Sequence, residues 1–336
     1  VFEGVIDQSK DNFPLIFGSS IGYEVVQQYR GPKLNMIINQ DTFSQYCLRH
    51  KDGSSPEIMH DAPTIALVTL ELLFKLGCNP IILAGQNLSY KNLRPYADGI
   101  HYEHVPEVVD DAFIKKCILV DDVNGGKVYT TKIFDNMRRQ MEAYIKCFQG
   151  IEIINTTKGG ARIEGAPFEP IDQVIANRLP KQRVVEKDWY KASDLSYDSE
   201  YLFIKYRKLQ AARKDAQKQL ANLQEQLRVM ERLVKQANEN QLLQKIEKFD
   251  KELKQLLKND YYLVLIKPME RTGLELLAKK INDIKFEGDP VRKGRKIVKN
   301  FGDLISRFQN DVSAIDDLFI SLEKVIAEYA GSSGQG

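Results

Sequence analysis

The chain has 336 residues, of which 43% are hydrophobic and 28% are charged, and its formal net charge is +2. This composition is ordinary for a globular protein of more than one domain, and the nearly balanced charge gives no reason to expect nucleic acid as a partner. Because no apolar run approaches the roughly 20 residues that cross a bilayer and no signal peptide is visible, we predict no membrane span.

The cysteine pattern favours a reducing compartment. The cysteines form no C-x-x-C pair and are spread along the first half of the chain, at Cys47, Cys78, Cys117 and Cys147. Such spacing favours reduced thiols over disulfides, which agrees with a cytoplasmic location. No histidine joins these cysteines at the spacing of zinc ligands, so we predict no metal site and no cofactor.

The two ends of the sequence differ from the rest of the chain. The first residue is Val1 rather than methionine, and strand and turn signals begin almost at once. We therefore expect a fragment or processed piece whose upstream part is missing. Residues 331–336 are rich in glycine and serine and are expected to form a flexible tail.

The first half of the chain alternates between short apolar strands and amphipathic helices. Strands are predicted at residues 13–17 and 34–38, with a helix at 22–29 between them. A second helix, residues 64–76, leads almost directly into a strand at 80–84. A helix followed so closely by a strand is typical of a βαβ crossover and therefore of a parallel sheet.

A hairpin and one more helix and strand complete this half. Asn124-Gly125 separates two β-rich runs, residues 117–122 and 127–131, and Asn-Gly is a strong hairpin signal. A helix is predicted at 135–148 and a strand at 151–154. Residues 1–185 are thus predicted to form one α/β domain, a mostly parallel sheet with helices on both faces.

The second half is predicted to be helical. Strand signals nearly vanish, and residues 201–237 carry a repeat of 3.5 residues, typical of a coiled coil. The repeat breaks at 238–240 and resumes with Leu242, which predicts a long helical hairpin. Two more amphipathic helices are predicted at 272–284 and 301–329. Residues 186–330 are thus predicted to form an α-helical C-terminal domain.

Two predicted strands end abruptly in small and polar residues. Gly85-Gln86-Asn87 follows the strand at 80–84, and a segment from Asn155 to Gly160 follows the strand at 151–154. Because parallel strands of one sheet open their carboxyl ends onto a common crevice, we expect both tips to bind one ligand. The amide side chains and Tyr90 favour binding over a plain turn, and Lys158 could offset a negative charge.

Other segments have two interpretations each. His60-Asp61-Ala62-Pro63-Thr64 precedes a helix, where Asp61 or Thr64 could cap the first turn or free N–H groups could hold an anion. His101 and His104 could transfer protons near neutral pH or be surface residues. The basic run at 291–299 is either a solvated helix or a contact for an acidic partner.

The ordered set of these motifs resembles a known family. The chain has a helix at 64–76, then Gly85-Gln86-Asn87-Leu88-Ser89-Tyr90, the Asn124-Gly125-Gly126 hairpin, and finally Asn155-Thr156-Thr157-Lys158-Gly159-Gly160. Over roughly residues 1–180 this order resembles the central domain of the motility-associated factors, or Maf flagellin glycosyltransferases. That domain is related to the archaeal MptE-like pterin pyrophosphokinases. The Gly-Pro-Ser-Leu loop that begins the family's domain is absent, which implies an N-terminally truncated domain. Whether this truncated domain is active by itself stays open.

The resemblance implies a Rossmann-like domain similar to the sialyltransferases that use CMP-activated sugars. Maf proteins transfer nonulosonic acids, of the pseudaminic or legionaminic type, to Ser or Thr of flagellin in the cytoplasm for flagellum assembly and motility. Flagellin and a nucleotide-sugar are therefore the implied partners, and CMP-sugar is a substrate rather than a cofactor. The positions carried over are Gly85, Gln86, Asn87, Tyr90, Asn155, Thr156, Gly159 and Gly160.

The leading hypothesis is therefore an inverting glycosyl transfer through an oxocarbenium-like transition state. Thr64 and Lys158 join the carried-over positions as predicted substrate-binding residues. The candidates for the catalytic base are His60, Asp61, His101 and Glu164. The sugar, the acceptor residues and the oligomeric state stay open.

Two other functions are alternatives to glycosyl transfer. The first is an MptE-like diphosphotransferase that uses ATP and a pterin and needs an acidic metal site. Asp121-Asp122 could be read as that site, but their place at the end of a hairpin strand favours simple exposure. The second is a non-enzymatic flagellin-binding protein whose helical hairpin grips an amphipathic partner helix.

Overall fold

The computed structural model describes residues 13–19, 22–95, 103–186, 188–191 and 197–332. The chain divides into two compact units. The first unit combines residues 1–58 with 193–336, and the second consists of residues 59–192. This division does not coincide with the boundary predicted near residue 185, because the first strands and helices group with the helical half.

The first unit begins with a small parallel sheet. Strand β1 (Leu15–Gly18) pairs in parallel with β2 (Lys33–Ile38), and the connection carries helix α1 (Tyr23–Gln28). The short strand β3 (Ile58–Met59) is the third in this sheet, in the order β1-β2-β3. Helix α2 (Thr42–Cys47) follows β2. The predicted strand–helix–strand order of this segment is confirmed.

Helix α2 explains why the N-terminal segment groups with the helical half. The Cys47 side chain is fully buried in the apolar core of the helical part, and Phe43 packs against that core. The Thr42 hydroxyl donates to the Val264 carbonyl at 2.6 Å, and the Tyr46 hydroxyl donates to the Asp260 carboxylate at 2.7 Å. These contacts join positions more than 200 residues apart, which no local pattern could predict.

The helical part is built on the predicted hairpin. Helix α7 (Ser199–Lys235) and helix α8 (Glu239–Leu256) pack along each other, and helix α11 (Pro290–Ala314) packs on α7. Residues of the predicted repeat contribute to the core, among them the fully buried Leu209 and Leu223. Burial of such a stripe is the main source of stability for a long helix. The predicted helical domain with its long hairpin is confirmed.

The remaining helices complete this part of the first unit. A π-helical turn (Tyr262–Ile266), α9 (Lys267–Met269) and α10 (Arg271–Lys285) follow the hairpin, and the last helix is α12 (Asp316–Ser332). The helix predicted at 272–284 is confirmed as α10.

The single helix predicted at 301–329 is wrong. α11 begins at Pro290, where the Asp289 carboxylate accepts a hydrogen bond from the Arg292 N–H, so the basic run is helical. It ends at Ala314, and α12 starts immediately after Ile315.

The second unit contains the elements that position the candidate site. Helix α3 (Ile65–Lys75) precedes strand β4 (Ile81–Leu83), and helix α5 (Lys132–Cys147) precedes strand β7 (Ile153–Asn155). β4 and β7 pair in parallel. Their apolar core is formed by Leu67, Leu70, Ile81, Leu83, Met141, Ile145, Ile153, Ile163 and Ala166. Both predicted pairs of a helix followed by a strand are confirmed.

A hairpin and two short helices complete the second unit. Strands β5 (Ile118–Asp121) and β6 (Lys127–Thr130) pair in an antiparallel manner, as predicted. Helix α4 (Asp111–Ile114) precedes the hairpin, and α6 (Ile171–Asn177) follows β7. The described strands form three sheets rather than the single predicted one: β1-β2-β3, β4-β7 and the hairpin β5-β6. The α/β class followed by a helical domain is confirmed.

Candidate crevice at the carboxyl ends of two parallel strands

Strands β4 and β7 end side by side. In their register Ile82 is opposite Ile154, and Leu83 is opposite Asn155. The chain after each strand therefore leaves the sheet at the same edge, where ligands of open α/β sheets bind. We call residues 84–90 the β4 loop and residues 156–160 the β7 loop.

Hydrogen bonds join the two loops. The Thr156 N–H and hydroxyl both donate to the Leu83 carbonyl, at 2.9 and 2.8 Å. The Gln86 N–H donates to the Thr157 hydroxyl at 3.0 Å, and the Ala161 N–H donates to the Asn87 carbonyl at 2.9 Å. The two loops meet, as the sequence predicted. That they bind a ligand stays a prediction.

Glycines allow this close approach of backbones. A Cβ atom at Gly160 would lie 3.0 Å from the Asn87 carbonyl oxygen and 3.1 Å from the Asn87 Cα, closer than side chains normally come. Gly159 has a φ of 78°, the left-handed region that glycine adopts without strain. The Gly159-Gly160 pair is thus required by the geometry of the β7 loop, whether or not a ligand is present.

Asn155 lies at the base of the β7 loop and is fully buried. Its side-chain carbonyl accepts a hydrogen bond from the Thr157 N–H at 2.9 Å, which fixes the turn. Its amide nitrogen Nδ2 is buried and has no partner among the described residues. A buried donor without an acceptor costs about 1–3 kcal/mol, and a bound ligand or water could accept from it.

Further donors lie on the β7 loop. The backbone N–H groups of Lys158 and Gly159 have no acceptor within the described part of the chain. The Lys158 side chain is exposed and forms no ion pair with a described residue. Successive free N–H groups beside a left-handed glycine are a common arrangement for binding anions.

Lys91 lies across the β7 loop. Its ammonium group donates to the Lys158 carbonyl at 3.2 Å. A Cβ atom built on Gly159 would come within 2.6–2.8 Å of the Cδ, Cε and Nζ atoms of Lys91, so this side chain covers the glycine. No sequence motif marks Lys91, because the residue follows the β4 loop and reaches the β7 loop only in the folded chain.

Tyr90, a predicted substrate-binding residue, lies in an aromatic cluster. Its ring stacks on Phe134 with centroids 5.4 Å apart and meets the edge of Phe113 at 5.1 Å. The three rings line a mostly apolar cavity of about 420 Å³ together with Val109. The Tyr90 N–H donates to the Tyr129 carbonyl at 2.8 Å, so this residue also fastens the β4 loop to β6.

In the segment before α3 the predicted side-chain cap is not formed, whereas the binding of an anion by free N–H groups stays a prediction. Thr64 is the N-cap residue of α3 but makes no capping hydrogen bond with its side chain, and Pro63 lies before the helix rather than in its first turn. The His60 N–H and ring nitrogen Nδ1 face the buried Glu71 carboxylate, with Nδ1 at 2.8 Å. Asp61, the next residue, also takes part in an interaction. His60 is thus held by a carboxylate.

Glu164 lies in a separate polar groove. Its N–H donates to the Glu142 carboxylate of α5 at 2.9 Å. The groove, about 520 Å³ in volume, is lined by Leu119, Val120, Asp121, Lys127, Arg138, Glu142, Arg162 and Glu164. No hydrogen bond or ion pair among the described residues joins the Glu164 side chain to the β7 loop. His101, the remaining candidate base, lies outside the described residues.

The acidic pair of the rival hypothesis stabilises the hairpin. Asp121 forms an ion pair with Lys127, with oxygen and nitrogen 2.5 Å apart. The Asp122 carboxylate accepts hydrogen bonds from the N–H groups of Asn124 and Gly126, both at 2.8 Å. Both carboxylates have structural partners, so the metal site proposed for them is not needed to explain their position.

The fold defines an α/β protein with a crevice at the ends of two parallel strands, followed by a helical part. Residues 1–93 match a family model described as "6-hydroxymethylpterin diphosphokinase MptE-like". The chain is structurally similar to a Maf glycosyltransferase from Magnetospirillum magneticum AMB-1, with a TM-score of 0.51 and 13% sequence identity. At that identity the similarity shows the fold alone.

The structural alignment covers 92% of this chain and 45% of the Maf chain, so the chain spans less than half the length of that protein. No curated protein matches the chain. Both parts of the resemblance stated from the sequence, the MptE-like domain and the Maf fold, are confirmed. No described helix is both long and apolar enough to span a membrane.

Proposed function

We propose that this chain carries the donor-binding crevice of a glycosyltransferase. The reaction would move a nonulosonic acid, of the pseudaminic or legionaminic type, from a CMP-activated donor to a Ser or Thr hydroxyl of flagellin. The main support is the meeting of the β4 and β7 loops at the ends of two parallel strands, in a chain whose fold is similar to a Maf glycosyltransferase. We expect this reaction to occur in the cytoplasm.

The chemistry of such a donor matches the groups in the crevice. A CMP-linked nonulosonic acid has a carboxylate on the sugar and a phosphate on the nucleotide. The free N–H groups of Lys158 and Gly159 and the buried Nδ2 of Asn155 are donors, and the Lys158 ammonium adds positive charge. Fixed donors of this kind stabilise negative charge that develops on a leaving phosphate.

The reaction needs one bond to form and one to break. The acceptor hydroxyl oxygen would bond to the anomeric carbon while the bond from that carbon to the CMP phosphate oxygen breaks. CMP would leave with the electron pair, and the configuration at the anomeric carbon would invert through an oxocarbenium-like transition state. The hydroxyl proton would pass to a base on the protein.

His60 is the best-supported base among the described candidates. The buried Glu71 carboxylate lies 2.8 Å from its Nδ1, a contact that orients the imidazole ring. The ring is mostly exposed, so its other nitrogen is open to a substrate. Asp61, Glu164 and His101 stay candidates.

The direct test uses mass spectrometry of flagellin. Flagellin is incubated with CMP-pseudaminic or CMP-legionaminic acid and either this chain or the longest polypeptide encoded around it. We expect the mass increment of one nonulosonic acid per modified residue, and its loss in Asn155→Ala with Gln86→Ala. If flagellin stays unmodified with every CMP-nonulosonic acid that is tested, the proposal is rejected. If flagellin still binds to that double variant but is never modified by any form of the protein, the non-enzymatic rival is favoured.

A second function is supported by the family match over residues 1–93. An MptE-like diphosphotransferase would move a diphosphoryl group from ATP to the hydroxymethyl oxygen of a pterin and release AMP. It predicts Mg²⁺-dependent formation of AMP that requires 6-hydroxymethylpterin and no flagellin. An AMP assay with and without the pterin separates this function from glycosyl transfer.

A further inference from the structure

Lys91 occupies a place that neither the motifs nor the proposed mechanism explains. It lies outside both loops of the crevice in sequence, yet its side chain crosses Gly159 and reaches the Lys158 carbonyl. The structure gives its ammonium group no carboxylate partner among the described residues. A lysine that covers a glycine-rich turn without an ion pair provides positive charge for an anionic ligand.

The backbone around Lys91 is held in an unfavourable conformation. Leu88, Asn92 and Leu93 have φ values of 47°, 52° and 60°, in the left-handed region that residues with side chains rarely adopt. Each such residue costs on the order of 1–3 kcal/mol and persists only where the surroundings enforce it. Strain of this kind tends to concentrate at functional sites.

The hairpin provides the contacts that enforce this conformation. The hydroxyl of Thr130, a fully buried residue, donates to the Leu88 carbonyl at 2.7 Å. The Tyr90 N–H donates to the Tyr129 carbonyl, and the Leu93 carbonyl accepts from the Val109 N–H at 2.9 Å. Lys91 therefore extends from a segment fixed on both sides, which limits the positions that its ammonium group can reach.

Groups on the β7 loop and at its base share one chemical preference, for a ligand that accepts hydrogen bonds. The free N–H groups of Lys158 and Gly159 and the unpartnered Nδ2 of Asn155 are donors, and the Lys158 ammonium is a second cation. Two lysines and three N–H donors near a glycine turn would suit a phosphate group, which is negatively charged near neutral pH and accepts several hydrogen bonds.

We propose that Lys91 is a specificity-determining residue that binds the phosphate of the donor nucleotide, and that Tyr90 is a positioning residue that holds Lys91 in place. The identity of the nucleotide rests on the proposed function, whereas the phosphate contact does not. Tyr90 would act through its ring contacts with Phe113 and Phe134 and through its backbone bond to Tyr129.

The test compares a nucleotide with its nucleoside. Calorimetric titration of the 336-residue chain with CMP and with cytidine measures the part of the affinity that depends on the phosphate. We expect Lys91→Met to lower the affinity for CMP about tenfold, which equals ~1.4 kcal/mol, and to leave the affinity for cytidine unchanged. Lys91→Arg should keep most of the preference for CMP, because it retains the charge.

Two variants serve as controls. Lys115→Met removes an exposed lysine of the same unit that forms no ion pair with a described residue, and it should bind CMP like the wild type. Tyr90→Leu should weaken the binding of CMP but not of cytidine if Tyr90 acts only by positioning Lys91. A circular dichroism spectrum unchanged from the wild type shows that each variant is folded.

The outcomes separate this inference from the proposed function. Equal affinity of Lys91→Met and wild type for CMP would overturn the role of Lys91 and leave the glycosyltransferase proposal standing. If the wild type prefers ATP over CMP, glycosyl transfer loses its support, and a comparison of ATP with adenosine then tests the role of Lys91 in the same way. If the wild type prefers neither nucleotide over its nucleoside, the phosphate site is rejected.

Discussion

Leu83 and Asn155 are opposite each other at the carboxyl ends of two parallel strands, and the residue after Asn155 donates two hydrogen bonds back to the Leu83 carbonyl. The Leu83 carbonyl is the last one of β4, and its hydrogen-bond donors come from the β7 loop rather than from water. The crevice is therefore part of the fold of the second unit, and substitutions there should change stability and ligand binding together.

The junction of the two loops gives the first prediction. Gly160→Ala would bring a methyl group within 3.0–3.1 Å of the Asn87 backbone, which cannot move without breaking the bond from the Ala161 N–H. Overpacking of this kind costs about 1–3 kcal/mol. We expect that loss in urea denaturation. The matched control is Gly302→Ala, inside α11 with open space around it, which should stabilise the chain by up to about 1 kcal/mol.

Asn155 gives the second prediction. Asn155→Ala removes the acceptor of the Thr157 N–H in a fully buried place, and a buried donor left unpaired costs about 1–3 kcal/mol. The substitution also removes the unpartnered Nδ2, which offsets part of that cost, so we expect a net loss of about 1 kcal/mol. Urea denaturation should show this loss, whereas Asn124→Ala, on the exposed hairpin turn, should change stability by less than about 0.5 kcal/mol. Equal stability of the two variants would show that the Asn155 contact does not hold the turn.

Much of the fold could be predicted because its signals are local. The strands that form the crevice end in glycine and polar residues, the hairpin has Asn-Gly at its turn, and α7 and α8 carry a regular apolar repeat. The grouping of residues 1–58 with the helical half could not be predicted, because it depends on contacts such as Thr42 with Val264. The single helix predicted at 301–329 failed because Ile315 lacks the glycine or proline that usually marks a break.

The candidate site was predictable only in part. The two loops were found because polar residues follow buried strands, and parallel pairing brings such ends together. Lys91 and Thr157 were missed. Lys91 reaches the β7 loop from a neighbouring segment, and the Thr157 hydroxyl matters because the Gln86 N–H donates to it. Pairwise contacts of this kind depend on backbone path rather than on residue type, so a single sequence does not show them.

The turn between α7 and α8 gives the third prediction. Ala237 has a φ of 51°, and the N–H groups of Ala237 and Asn238 donate to the Val234 and Leu233 carbonyls, as in a Schellman motif. Glycine is preferred at this position because a Cβ atom costs about 1–2 kcal/mol in the left-handed region. Ala237→Gly should therefore raise the free energy of unfolding by about 1 kcal/mol. Ala237→Val should lower it, and a change of the opposite sign in either variant would contradict this account.

Asp135 gives a prediction about pH. Burial alone would raise the pKa of its carboxyl, but hydrogen bonds from the guanidinium groups of Arg138 and Arg139 hold that pKa below its ordinary value. A lowered pKa in the folded state contributes stability that is present above the unfolded pKa of about 3.9 and is lost as the pH falls through the folded value.

Asp135→Asn should therefore destabilise the chain by about 2 kcal/mol at pH 7, less than the roughly 3–5 kcal/mol of a fully buried pair because Arg139 is exposed. The difference from the wild type should stay constant down to about pH 4 and shrink as the pH falls below that value. Urea denaturation at several pH values measures it. A difference that stays constant below that value as well would show that the Asp135 charge does not stabilise the fold.

Cys47 and Cys147 differ in accessibility, and this gives the last prediction. Cys47 is fully buried in the helical core, and burial raises the pKa of its thiol to about 12, whereas Cys147 is exposed at the end of α5. Alkylation requires both access and the thiolate form. In the native chain at about pH 8, iodoacetamide should therefore label Cys147 within minutes and leave Cys47 unmodified until urea unfolds the first unit. Peptide mass spectrometry reads both sites in one sample, and Cys147→Ser removes the fast label as a control.

Labelling of Cys47 at the rate of Cys147 without urea would mean that α2 does not pack on the helical core, and the grouping of residues 1–58 with the helical half would lose its main contact.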